Sequence, residues 1–338
     1  MSNWIVTADL HLTDAPEDEY RWGVFEFLID KANELGKGSN TLFVLGDLTD
    51  KKDYHSAKLV NRVVNSFVSL YRNSTIKEII ILRGNHDGVD GGVAYFEFMN
   101  AIPYVHVITK PELRNMDFRK IALLPHTKDP AQDWALIEFG EAKYVFMHQT
   151  VTGAVGESGR VLEGTQNIAS LLGGTPAKVF SGDIHAPQRI GNIEYVGSPY
   201  HIHFGDDYQG RILCAQAAKI LEWHYPTIRK IKITIRDAKE LAKYDLEEGD
   251  QIKVELALHE EERHEWHIKK EAIEKWCIAH KVNLCGVELK GRTTLKLKSQ
   301  RTEKLTPDTA FDKYCEKTEV REKTKNVGKG LLLKARKP

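Results

Sequence analysis

Short apolar runs alternate with helical periodicity through the first two thirds of the chain. Trp4 to Ala8, Thr41 to Leu45 and Glu78 to Leu82 read as buried strands, and the segments near Glu17 to Leu35 and His55 to Tyr71 repeat apolar residues at helical spacing. Further strands are expected at Val105 to Thr109, Lys120 to Leu124, Lys143 to Met147, Lys178 to Ser181 and Asn192 to Val196. Such an order predicts an α/β sheet covered on its faces. Arg211 to Ala215 and Lys219 to His224 read as a closing antiparallel hairpin, and Tyr225 to Thr227 as a boundary. Beyond it the alternations Ile231-Ile233-Ile235 and Ile252-Val254-Leu256-Leu258, a helix from about Glu262 to His280 and a strand at Leu284 to Lys290 describe a small α+β module. Thr306-Pro307-Asp308 reads as a helix start leading into Ala310, Phe311 and Tyr314. The predicted divisions are 1–225, 226–300 and a basic tail, 301–338.

Composition adds to this picture mainly through charge. The 338 residues are 41% hydrophobic and 28% charged, which suits a globular chain with a real core. The formal net charge is zero, yet it divides near Pro226 into −7 before and +7 after. An acidic first part suits a cluster of metal-binding carboxylates and a basic last part suits a polyanion, while a solvated charged face is the plainer alternative. Cys214, Cys277, Cys285 and Cys315 lack C-x-x-C spacing, so no disulfide framework is expected. No apolar run has the length of a membrane span, and a reducing cytoplasm is the expected location.

Candidate chemistry collects where the strands end, the place where open α/β sheets gather ligands. The successive ends carry Asp9-Leu10-His11, Gly46-Asp47-Leu48-Thr49-Asp50, Gly84-Asn85-His86-Asp87, Met147-His148-Gln149 and Gly182-Asp183-Ile184-His185. Any one of these motifs arises often by chance. Five in order, each after an apolar run, resemble the calcineurin-like metallophosphoesterase family. The resemblance implies a sandwich of mixed sheets flanked by helices, with the smaller α+β module as a cap.

It also implies two divalent cations about 3.5–4 Å apart, manganese first and magnesium, iron or zinc as alternatives, activating water for attack on phosphorus. By resemblance Asp9, His11, Asp47 and His185 hold one metal, and Asp47, Asn85 and His148 the other, with Asp47 as the bridge. His86 corresponds to the histidine that stabilises the transition state or protonates the leaving oxygen, and Asp50 is expected to orient it, a helix N-cap being the alternative role for Asp50. The family's last motif is usually G-H-x-H, whereas here Asp183 stands in the first histidine's place. Either Asp183 ligates through its carboxylate, or the second metal is weakened or lost, with His201 or His203 substituting only if a loop folds back.

The flanks narrow the substrate. Ala186-Pro187-Gln188, Gly197-Ser198-Pro199 and Phe204-Gly205-Asp206 resemble the H-x-P-Q and G-S-P...F-G-E pattern of SbcD-type DNA nucleases from bacteria and phages. That likeness covers about residues 1 to 225 by motif and the rest loosely. It implies DNA as substrate in repair, recombination or replication, an SMC-like ATPase partner of SbcC type at the C-terminal region, and a homodimer through helices such as Trp22 to Leu35. Lys290, Arg292, Lys296, Lys298 and Arg301 are candidate contacts to backbone phosphates, or else a solvated strand edge. Gly153 to Gly159 reads as a flexible loop near His148. Two rivals stand beside the exo- or endonuclease reading: a phosphoesterase on a small diester or phosphoprotein, and a DNA-binding scaffold whose metal site is impaired by Asp183.

Overall fold

Alternate residues of each strand face opposite layers, and that alternation builds two cores from one sheet. The computed structural model describes residues 3–36, 38–89, 93–135, 137, 139, 142–156, 159–164, 178–216, 219–290, 311, 315 and 324–329. The first sheet contains β1 (Trp4–Thr7), β2 (Asn40–Leu45), β3 (Ile76–Leu82), β4 (Val105–Ile108), β11 (Ile212–Gln216) and β12 (Lys219–Trp223), in the order β12-β11-β1-β2-β3-β4. β1 to β4 are parallel, and β11 joins β1 antiparallel through its hairpin with β12. The second sheet is β5 (Glu112–Met116), β6 (Arg119–Leu124), β7 (Tyr144–His148), β8 (Lys178–Gly182), β9 (Gln188–Ile190) and β10 (Ile193–Tyr195), in the order β5-β6-β7-β8-β10-β9.

Trp4, Val6, Phe43, Leu45, Ile80 and Leu82 meet Ile121, Leu123, Phe146 and Phe180 between the sheets. Ile5, Leu42, Val44, Ile79 and Ile81 face the other way, against α1 (Gly23–Glu34) and α2 (Ala57–Asn73). α2 starts where Ser56 Oγ accepts from Leu59 N at 3.0 Å, and it buries Leu59, Val63, Phe67 and Leu70 at helical spacing. The mixed α/β sandwich expected from the sequence is therefore the fold.

The expected helix from Glu17 to Leu35 is two elements. Pro16–Trp22 is a 3-10 helix and α1 follows it. The tighter winding brings residues three apart into register, the spacing of the buried pair Asp18 and Arg21, which meet at 2.8 Å. β5 and β9 were not foreseen. Both are edge strands with partly exposed, polar sequences, so neither shows a buried face to read. A short α3 (Pro130–Asp133) and the 3-10 turn Tyr95–Ala101 also lack periodicity.

Met1–Leu289 is one compact unit. Within it β13 (Lys230–Ile235), β14 (Gln251–Leu256) and β15 (Asn283–Leu289) form a parallel sheet, with α4 (Trp266–His280) as the crossover between β14 and β15. Its core is Ile233, Ile235, Ile252, Val254, Ile273 and Cys277. Lys230 Nζ reaches Asp18 at 2.7 Å and Gln251 Nε2 donates to Glu17 O at 2.5 Å, which ties this module to the 3-10 segment following His11. Lys290–Pro338 is a second unit, in which Phe311, Cys315 and 324–329 are helical and Cys315 is buried. The rest of the segment expected to run from Thr306 through Tyr314 lies outside the described residues. All four cysteines are unpaired. Among the described residues no helix is long and apolar enough to cross a membrane.

Candidate metal centre

The parallel strands of both sheets end at the same place, and the backbone turns sharply at each end. Asp9, His11, Asp47 and Asp183 all adopt positive φ, between 41° and 81°, a region that costs a non-glycine residue energy and persists only where surrounding structure imposes it. Asp9 N donates to Gly46 O and His11 N to Asp47 O, so the two loops after β1 and β2 run side by side. Glycine at Gly46, Gly84 and Gly182 lets the strand ends close in. A methyl at Gly46 would collide with the His148 ring, one at Gly84 with Asp47, and one at Gly182 with the Leu45 carbonyl.

Asp9, His11 and His185 offer ligand atoms within 4.8 Å of one another, as do Asp9, Asp47 and His148, and also His11, Asp50 and His86. His185 Nε2 lies 3.1 Å from His11 Nε2. His148 Nδ1 donates to Leu45 O at 2.6 Å, which fixes the tautomer and turns Nε2 toward the centre. The Asn85 side-chain amide sits 3.0 Å from that Nε2 and beside both Asp47 carboxylate oxygens. Asp9 Oδ2 is buried without a hydrogen bond. Carboxylate, amide and imidazole groups converging on one point form a donor set that suits a divalent cation. The residues present fit a metal.

The electrostatics agree. Burial pushes the His148 imidazole down, yet Asp47, Asp183 and Asp9 overcome it and raise the group to about 9. Burial raises Asp9 to about 7, against the pull of His148 and His185 and with the charge of Asp47 adding to the rise. Burial acts to raise Asp47 too, but His148, His11 and His86 together leave it below the ordinary carboxylate value. Three carboxylates, those of Asp9, Asp47 and Asp183, gather around His148, an arrangement that suits a cation.

Asp183 belongs to this group by position. Its Oδ1 lies 3.6 Å from His148 Nε2, its N–H donates to Asp9 Oδ1 at 3.0 Å, and its Oδ2 accepts from Thr150 Oγ1. His201 does not join: Nε2 faces Tyr208 O and Nδ1 accepts from Lys230 N. The His203 ring is 5.4 Å from the His185 ring.

Asp50 does orient His86, but by its backbone. His86 Nδ1 donates to Asp50 O at 2.6 Å, while the Asp50 carboxylate turns to His11 Nδ1 at 3.5 Å. The neighbouring His11 imidazole holds that carboxyl down at about 2. The N-cap of α2 is Ser56, not Asp50. His86 N donates to Asp47 Oδ1 at 2.8 Å, so the same segment steadies the central carboxylate.

Three positioning residues were missed. Asp87 is buried and accepts from Gly84 N, Asp47 N and Leu48 N at 2.7 to 2.9 Å, tying the β2 and β3 ends together. Arg21 donates to His11 O and Ile202 O. His126 stacks edge-on 6.0 Å from His148. Only Asp87 lay within a quoted motif, where its carboxylate gives no sign that its partners are backbone.

The flanking motifs brace the loop that carries His185. Gly197 has φ of 79° and a methyl there would strike His185 O and Pro187, while Ser198 N donates to His185 O at 2.9 Å. Asp206 Oδ2 accepts from Ile202 N and His203 N. Gln188 pairs through both amide atoms with Val155, at 2.8 and 2.7 Å. The segment read as a flexible loop is accordingly a hydrogen-bonded hairpin, with Val155 bridged antiparallel to Val161 and Leu162 N donating to Ala154 O; 157–158 lie outside the described residues. Of the candidate phosphate contacts, Lys290 is exposed, and Arg292, Lys296, Lys298 and Arg301 lie outside the described residues.

A family model described as calcineurin-like phosphoesterase matches residues 4–187, more than half of the chain and all five strand-end motifs. No curated protein matches. Among solved structures, the protein of unknown function AQ665 from Aquifex aeolicus is similar at 15% identity over 56% of this chain and 82% of that chain, with a TM-score of 0.27, too low to carry an argument.

Proposed function

Because the chain belongs to the calcineurin-like phosphoesterase family, we propose that it is a two-metal phosphodiesterase that cuts DNA. The observation that carries this reading is the clustering of Asp9, His11 and His185, of Asp9, Asp47 and His148, and of His11, Asp50 and His86 within 4.8 Å, with Asn85 against His148. In this reading Asp9, His11, Asp47 and His185 hold one cation, and Asp47, Asn85, His148 and Asp183 the other. A bound pair of divalent metals lowers the pKa of water and offsets charge on phosphoryl oxygens. A carboxylate at position 183 adds charge to the second site and suits hard, oxygen-preferring ions such as manganese or magnesium.

The protein's own contribution is orientation. His86 spends Nδ1 on the Asp50 carbonyl, which leaves Nε2 as the atom that meets the phosphate or hands a proton to the leaving oxygen. His86 is half-buried, so that nitrogen is within reach of a substrate entering from solvent. Family membership fixes the reaction class better than the substrate. DNA is favoured by the SbcD-like pattern around Gln188, Gly197-Ser198-Pro199 and Phe204-Gly205-Asp206, and by the net charge of +7 after Pro226. The same reading carries an SMC-like ATPase docking on residues 301–338, a second copy docking on α1, and a cytoplasmic location.

End-labelled linear duplex DNA incubated with manganese tests the proposal. Degradation is expected from the unaltered protein and not from Asp47→Ala, His86→Ala or an EDTA control. Hydrolysis of a small diester without any cleavage of DNA would overturn the nuclease reading and leave the phosphodiesterase.

A further inference from the structure

A cleft of about 630 Å³ is lined by Arg83 and His126, which adjoin the segments carrying Asn85 and His148. Arg83 directly precedes Gly84 and Asn85, His126 N donates to Arg83 O at 2.8 Å, and the His126 ring stands 6.0 Å from that of His148. Thr127 N, also in the cleft wall, donates to Gln149 Oε1 at 3.4 Å, next to the same ligand.

The walls divide by chemistry. Arg83, Lys110 and Lys128 supply cations, from the segments that follow β3, β4 and β6. Pro111, Pro125 and Ile137 supply apolar surface between them. Two carboxylates also line the cleft, but each already accepts from the protein: Asp129 Oδ1 from Gln132 N at 3.2 Å and Asp133 Oδ2 from Thr127 Oγ1. Arg83 Nη2 donates to Val89 O at 3.0 Å, which uses one of the guanidinium's five N–H groups and sets its direction.

Resting on the nuclease reading, we propose that this cleft is the subsite for the nucleotide next to the scissile phosphate. Its non-reacting phosphate meets Arg83, Lys110 and Lys128, and its sugar and base lie on Pro111, Pro125 and Ile137. The volume falls in the range of small-ligand clefts, roughly 300–1,000 Å³. A planar guanidinium held in a fixed direction suits phosphate oxygens, and apolar walls take the face of any base without reading its edge. A solvated charged face needs no hollow. Here cations from three separate segments line one concavity beside the metal ligands, which is the arrangement a polyanionic substrate requires. A small diester, having no neighbouring phosphate, does not reach it.

The test is the full chain carrying Lys110→Ala and Lys128→Ala, assayed with manganese on a short single-stranded oligonucleotide and on bis(p-nitrophenyl) phosphate over a range of salt. Lys110 and Lys128 are exposed, and retained activity on the small diester reports that the variant is folded. The expected result is a fall of about tenfold in kcat/KM on the oligonucleotide, carried by KM, with the salt slope of log KM reduced by about 1.4 for two lost contacts on a single strand. Activity on the small diester stays within about twofold, since phosphate contacts act on binding of the polyanion. An unchanged KM and slope, or equal losses on both substrates, overturns the subsite while leaving the nuclease standing. An unaltered protein that cleaves the small diester and no oligonucleotide overturns the nuclease reading, and the subsite with it.

Discussion

Gly84→Ala isolates the demand that the centre places on strand packing. An ideal Cβ at this position lies 2.2 Å from Asp47 Oδ1 and 2.4 Å from Asp47 N, whereas real Cβ contacts essentially never fall below 3.0 Å. Gly84 does not require a positive φ, so the effect of alanine is steric. The segment at Asp47 must retreat by roughly 1 Å, and it is not free to do so. Asp47 N is bound to Asp87 Oδ2 at 2.8 Å, and Asp47 Oδ1 accepts from His86 N at 2.8 Å. If Asp47 is the shared ligand, displacing it by about 1 Å is expected to cost on the order of 100-fold in kcat, with overpacking adding about 1–3 kcal/mol of destabilisation. The assay is manganese-dependent hydrolysis of bis(p-nitrophenyl) phosphate alongside urea denaturation. Gly38→Ala is the control, because an added methyl there meets nothing within 4 Å. A Gly84→Ala protein with kcat within twofold of the unaltered one would refute the claim that this glycine is needed for the β3 end to approach Asp47.

Lys230→Ala should destabilise the protein by about 3 kcal/mol, the lower end for breaking a buried ion pair, because Arg21 still neutralises Asp18 at 2.8 Å. Urea denaturation measures it, and a loss below about 1 kcal/mol would show that the pair does not hold the β13 module against the Pro16–Trp22 segment. Alkylation of the native protein at pH 8 should modify Cys285, which is exposed, and spare Cys214 and Cys277, whose thiols burial pushes up to about 11. Peptide mass spectrometry reads the outcome, and rapid labelling of Cys214 would mean that the β11–β12 hairpin opens.

The parts of this molecule that are legible in its sequence are those where a side chain does the work. Each candidate ligand follows an apolar run, so strand position and chemistry announce each other, as at Val44-Leu45-Gly46-Asp47. The β11–β12 hairpin and the alternation in β13 and β14 were visible for the same reason. Backbone contacts leave no such mark. Asp50 holds His86 through its carbonyl, so its carboxylate suggested the right residue for the wrong atom. Asp87 serves three backbone N–H groups and was passed over beside His86. The edge strands β5 and β9 have no buried face to impose a period. Gln188 looked like part of a signature and proved to be a clamp on the hairpin containing Val155, a contact 33 residues away in the chain.

The most direct test of the central claim is the number of manganese ions bound per chain, measured by elemental analysis after loading and gel filtration. Two ions per unaltered chain, and a loss of metal in Asp47→Ala that leaves urea stability of the metal-free protein within about 1 kcal/mol, is the predicted result, since one carboxylate then serves both ions. Two ions retained in Asp47→Ala, or at most one in the unaltered protein, would contradict a two-metal centre built around Asp47.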